Sequence, residues 1–134
     1  MCKYRNSSEI YKAFVYINIQ TTIKIRVKVL ENSKALKRLI RKLTVETLWI
    51  YVVKVLMVYG PMKAYDIKKK LYEFFGLKVP TITVYSVVYK LCSEGILEQV
   101  KTGSDVVYKV TDKGVAEYRK ALGFIEDIVS KLRL

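Results

Sequence analysis

From Ile17 to Val29 apolar and polar residues alternate without a break. Ile17, Ile19, Thr21, Ile23, Ile25, Val27 and Val29 share one face, and Asn18, Gln20, Thr22, Lys24, Arg26 and Lys28 share the other. A period of two built largely from β-branched residues predicts a strand, or a hairpin bent near Thr21 and Thr22. The period then changes. Asn32-Ser33 offers a helix N-cap, and Lys34 to Leu43 sets Leu36, Leu39, Ile40 and Leu43 against Lys37, Arg38, Arg41 and Lys42. That is a basic amphipathic helix. Val45 to Tyr59 is almost wholly apolar and reads as a buried helix stopped by Gly60-Pro61. Its longest apolar run, Leu48 to Tyr59 with Lys54 inside it, falls short of the roughly 20 residues that cross a bilayer.

A third helix is expected from Lys63 to Phe75, with Ile67, Leu71, Phe74 and Phe75 inward and Gly76 as its C-terminal cap. Pro80-Thr81 opens a fourth, whose core stripe is Val84, Val87, Val88 and Leu91 and whose stop is Gly95. Ile96 to Val100 and Val106 to Val110 read as short strands joined by the loop Lys101 to Asp105. Thr111 caps a last helix running nearly to Leu134. In it Val115, Tyr118, Leu122, Ile125, Val129 and Leu132 recur at alternating spacings of three and four. That repeat is an a/d seam, or the core stripe of a helix folded on its own domain. After the basic helix the element order is helix, helix, helix, two-stranded hairpin, helix. The expected fold is therefore mainly α with a small β wing: a winged helix-turn-helix.

Composition adds a partner. The chain has 134 residues, enough for one domain and an extension, and a net charge of +13. Residues 1–43 hold eleven Lys or Arg against two acids, a net +9, whereas the remaining 91 residues carry +4. The reading is a basic N-terminal extension over 1–43, a winged helix-turn-helix over 44–111 and a C-terminal dimerisation helix over 112–134. So large an excess points to a polyanion, either nucleic acid or an anionic membrane surface. Histidine is absent. Ser-His-Asp and Cys-His nucleophiles, His bases and His-ligated metals are thereby excluded. Cys2 and Cys92 stand ninety positions apart with no CxxC, which excludes a cysteine zinc site and fits two free thiols in a reducing cytoplasm. The carboxylates form no paired motif, the six glycines are scattered, and no secretory signal is visible. No enzyme, metal or cofactor is expected.

Four segments carry a family resemblance. Gly60-Pro61-Met62-Lys63-Ala64-Tyr65-Asp66-Ile67 resembles the G-P-L-H-G-Y-E-I stretch of PadR-like transcriptional regulators. Thr83-Val84-Tyr85-Ser86-Val87-Val88-Tyr89-Lys90-Leu91 resembles their T-L-Y-P-x-L-x-x-L recognition helix. Ser93-Glu94-Gly95-Ile96-Leu97-Glu98 is similar to their turn into the wing, and Tyr108-Lys109-Val110-Thr111-Asp112-Lys113-Gly114 to the Y-x-L-T-x-x-G that follows it. Lys63-Ala64 replaces the family's His-Gly, Ser86 replaces its Pro, and the wing tip lacks the usual arginines. The resemblance spans about residues 48–122 and implies a dimeric transcriptional regulator, a repressor by preference, that binds double-stranded DNA in a promoter.

In such a motif the second helix enters the major groove. The expected DNA-binding residues are Thr81, Thr83, Ser86, Tyr89 and Lys90 on that helix, Lys63 and Tyr65 at the start of the helix before it, and Lys101, Thr102 and Ser104 on the wing. No Arg, Asn or Gln lies on the recognition helix, so readout is expected to lean on phosphate contacts and DNA shape. Tyr85, beside Val84 and Val88, is expected mostly in the core. Trp49 is either core or the wall of a small-molecule effector pocket at the dimer interface. The resemblance implies that Val115, Tyr118, Leu122, Ile125, Val129 and Leu132 form the homodimer interface. Two rivals stay open: a nonspecific architectural DNA binder resting on the +9 segment, and a protein-interaction or membrane-surface module built on the basic helix 34–43.

Overall fold

The structure, a computed structural model, describes residues 33–134. The strand expected at 17–29, Cys2 and every basic residue before Ser33 lie outside the described residues. The elements are α1 (Lys34–Thr44), α2 (Leu48–Tyr59), α3 (Ala64–Phe75), α4 (Thr81–Ser93), β1 (Leu97–Thr102), β2 (Asp105–Val110) and α5 (Asp112–Leu132). From α2 onward this is the expected helix, helix, helix, hairpin, helix order, with the basic helix α1 before it.

Local chemistry sets most of the boundaries. Ser33 caps α1, its hydroxyl accepting from the Leu36 N–H at 3.2 Å. At the far end of α3, Gly76 adopts φ 67°, which only glycine tolerates cheaply. Its N–H reaches the Tyr72 carbonyl at 2.8 Å, the bond of an αL cap, and the Leu77 N–H reaches the Leu71 carbonyl at 3.2 Å. Thr111 caps α5 by accepting from the Gly114 N–H at 3.0 Å.

The apolar helix begins at Leu48 rather than Val45. Residues 45–47 instead close the end of α1, where helix carbonyls need donors. The N–H groups of Val45 and Glu46 bond the Arg41 carbonyl, the Thr47 hydroxyl bonds that of Lys42, and Tyr51 Oη bonds that of Leu43 at 2.5 Å. Lys42 also donates to the Glu46 carboxylate at 2.8 Å, which with the nearby Arg41 holds that carboxyl below its ordinary range.

One core unites α2 to α5 and the root of the wing. Val52, Val53, Val55, Ile67, Leu71, Phe74, Val84 and Val88 are fully buried, joined by Leu48, Leu97, Tyr108 and Tyr118. Phe74, Phe75, Tyr51 and Tyr59 pack edge to face at 4.7 to 5.8 Å between centroids. Helix α1 buries none of its residues.

The wing departs from expectation in length. Both strands run further than foreseen, with Thr102 paired to Asp105, so the connection is the two residues Gly103 and Ser104. Gly103 takes φ 64°, as the first central residue of a tight hairpin turn requires. Lys101 and Thr102 therefore stand on β1, not in a loop. Met62 forms an isolated bridge with Tyr108, its N–H and carbonyl bonding Tyr108 at 3.3 and 2.9 Å, which ties the entry to α3 to the wing. Among the described residues, no helix is long and apolar enough to cross a membrane.

Candidate nucleic-acid interface

Helix α4 is packed on one side and bare on the other. Val84, Val88 and Leu91 face the core. With 3.6 residues per turn, the opposite side is centred on Ile82, Ser86 and Tyr89 and edged by Tyr85 and Lys90. Ile82 is 78% exposed, Tyr89 76% and Tyr85 51%. Tyr85 is thus not a core residue as the sequence suggested. It sits three positions from Ile82 and four from Tyr89, on the outer face.

The other expected residues fall into three places. Pro80 occupies the N-cap of α4 and Thr81 is its first residue. Lys68 of α3 donates to the Thr81 hydroxyl at 3.0 Å, bringing a cation to the open start of α4, where no side chain caps the backbone N–H groups. A helix N-terminus with an adjacent ammonium favours an anion. Thr83 is half-buried beside this turn, and Ser86 is exposed. Lys90 is exposed too but lies at the flank, lining a groove of about 410 Å³ with Trp49, Glu94 and Glu117. Trp49 is half-buried there, so one face packs on the core and one reaches the groove.

At the other end, Lys63 precedes α3 and its ammonium meets the Asp105 carboxylate at 3.0 Å. That pair spans the start of α3 and the wing. It also places one acid beside the exposed Lys101, Thr102 and Ser104. Tyr65 is exposed, with the Lys69 ammonium 5.0 Å from its ring centre. The three consecutive lysines of α3 have different surroundings. Lys68 serves Thr81 and Lys69 covers Tyr65. Lys70 bonds Glu73 at 2.9 Å and lies over Tyr59, and the Glu73 bond raises its pKa. Cys92 is a half-buried free thiol on α4 whose pKa burial pushes up. Sequence reasoning did not select Ile82, Tyr85 or Lys68 for this surface. The helical period could have found the first two, since both lie opposite the Val84, Val88 and Leu91 stripe.

The residues expected at a dimer interface divide. Tyr118 is buried in its own chain and Val115 and Leu122 are half-buried there. Ile125, Val129 and Leu132 are exposed, together with Phe124 and Ile128. Beside them an apolar groove of about 500 Å³ runs between α2 and α5, lined by residues that include Ile50, Phe75, Leu122 and Phe124.

No family model matches the chain, and no curated protein does. Solved structures do. F93 from STIV, described as a winged-helix DNA-binding protein, is 21% identical, with a TM-score of 0.56 over 60% of this chain and 89% of its own. A transcriptional regulator from Clostridium thermocellum is 16% identical, with a TM-score of 0.57 over 66% of this chain and 90% of its own. A PadR family transcriptional regulator from Eggerthella lenta is 24% identical, with a TM-score of 0.51 over 75% of this chain and 96% of its own. The chain has the winged-helix fold of these regulators. The sequence likeness to PadR-like proteins and the fold agree.

Proposed function

We propose that this protein is a DNA-binding transcriptional regulator that acts as a homodimer and represses by occupying a promoter, with α4 laid in the major groove. One observation carries the reading. The bare face of α4 has no acid anywhere between Thr81 and Ser93, and Lys68 stands at its N-terminus and Lys90 at its edge. A helix-sized, cation-flanked projection beside a two-stranded wing fits a groove between two phosphate backbones. The exposed cations of α1, Lys34, Lys37 and Arg38, extend the same sign of charge.

The test is the salt dependence of duplex binding by the full chain. With about 6 to 10 phosphates neutralised per dimer, affinity is expected to fall roughly 10³-fold or more between 50 and 200 mM salt. A flat dependence would overturn the reading. If random duplex binds as tightly as promoter duplex, the protein is an architectural DNA binder instead.

A further inference from the structure

Resting on that DNA-binding reading, we infer that α4 reads thymine, through its 5-methyl group, with Ile82 as the specificity-determining residue and Tyr89 as its neighbour along the groove. The argument begins with what α4 lacks. Base edges are discriminated by Arg or Lys on guanine, Asn or Gln on adenine, Asp or Glu on cytosine, and apolar contact with the thymine methyl. Between Thr81 and Ser93 there is no Arg, Asn, Gln, Asp or Glu, and Lys90 lies at the flank beside Trp49 and Glu94. The Thr and Ser hydroxyls bond either partner of a pair and separate bases poorly. Of the four discriminating contacts, the apolar one is left at the centre of the face.

The structure supplies that contact. Scattered surface hydrophobics need no explanation. Here, however, Ile82, Tyr85 and Tyr89 are three large side chains at i, i+3 and i+7 on one face. None belongs to the core. Ile82 is the second residue of α4, and the first turn of a recognition helix is the part that approaches base edges. From Ile82 to Tyr89 the helix rises about 10 Å, the length of roughly three base-pair steps. The surroundings favour DNA over protein as the occupant: Lys68 donates to Thr81 one position away, Lys90 edges the face, and α4 carries no acid. Ile82 and Tyr89 would lose water against thymine methyls while these cations met phosphates.

The experiment selects duplexes from a random pool with the full chain, then replaces each thymine of an enriched duplex in turn by deoxyuridine. That change removes one methyl and leaves base pairing intact. Binding is expected to weaken roughly fourfold at each contacted thymine, the equivalent of about 0.8 kcal/mol for one buried methyl-sized group. For Ile82→Ala the thymine-to-uracil ratio at one of those positions is expected to fall to about one, while Ile82→Val keeps most of it. Thermal unfolding of both variants is expected to match the parent, since Ile82 is exposed. Equal binding of all uracil duplexes by the parent protein would overturn the inference, as would an unchanged ratio in Ile82→Ala. A change of oligomeric state in Ile82→Ala, with DNA affinity unaltered, would assign the face to a second copy and also overturn it. Salt-dependent binding with no enriched duplex would overturn this inference and turn the regulator into an architectural binder, leaving DNA binding itself intact. Failure to bind any duplex would remove the DNA-binding reading and the inference with it.

Discussion

The two halves of α5 share one sequence pattern and have opposite surroundings. From Thr111 to Leu122 the helix is part of the domain: Gly114 and Tyr118 are buried and Leu122 packs against the core. From Phe124 onward Ile125, Ile128, Val129 and Leu132 continue the apolar stripe, and among the described residues they stay exposed, with Phe124 and Ile125 edging the groove against α2. The difference teaches that a seam of threes and fours says where a helix wants a partner, not whose partner it is. The first half finds α2 and the wing of its own chain. The second runs past the core beside an apolar groove against α2, and it is the part of the helix left for the second copy in the proposed homodimer.

The most direct way to break this contrast is to charge the outer half alone. In Ile125→Lys, Val129→Lys, both positions are exposed and lie beyond the core, so the domain should keep its thermal stability. Self-association is expected to weaken roughly 10³-fold or more, since each buried interface anchor lost is worth about 2 kcal/mol or above. Light scattering over a concentration series checks it. Unchanged dimers would show that the outer half is not the interface.

The inner half should respond in stability instead. A Cβ at Gly114 would run into the Ile96 carbonyl oxygen, with Val110 Cγ1 3.0 Å away, because the first turn of α5 lies directly on the root of the wing. A backbone carbonyl cannot swing aside as a side-chain tip does. Gly114→Ala is expected to cost about 2–3 kcal/mol, a fall in Tm of roughly 10–20 °C by differential scanning calorimetry. Thr111→Val comes next. It removes the hydroxyl that accepts from Gly114 N–H and donates to the Gly95 carbonyl at 2.5 Å, and is expected to cost about 1–2 kcal/mol in urea unfolding.

How much of this was legible in the sequence follows the same division. Caps are local, so Ser33, Gly76 and Thr111 marked helix ends that the structure keeps. The core stripe of α4 and the wing were legible because each has its own period. What was lost depends on neighbours distant in sequence. Val45 looked like the start of α2 because it is apolar, yet its N–H is taken by the end of α1. Tyr85 looked like core because it adjoins Val84, although the helical turn swings it outward. The five residues expected in the wing loop contained a Gly103-Ser104 turn, and the strand pairing on either side set its length. The candidate site was legible in part as a face: Ser86, Tyr89 and Lys90 were expected outward and are exposed, but Ile82 was not selected. Its centre is apolar, and a search for hydrogen-bonding residues passes over Ile82.

The smallest effect belongs to Lys113, on the exposed side of the inner half. Its charge alone would group it with Lys68 and Lys90, since it lies on the first turn of α5 just after the wing. Its geometry gives it another task. The ammonium donates to the Glu94 carbonyl at 2.7 Å, and the side chain lies over Gly95, so it neutralises the C-terminal end of α4 from outside. A cation there complements the partial negative charge of the helix end, a contribution of about 0.3–1 kcal/mol at an exposed position. Lys113→Ala should therefore lower stability by that amount and leave duplex affinity within about twofold, with the same dependence on salt. Lys90→Ala, at the edge of the bare face, should weaken binding and flatten the salt slope by roughly one unit, as the loss of a phosphate contact does. Equal losses of affinity from the two changes would mean that net charge governs binding and that the face of α4 does not.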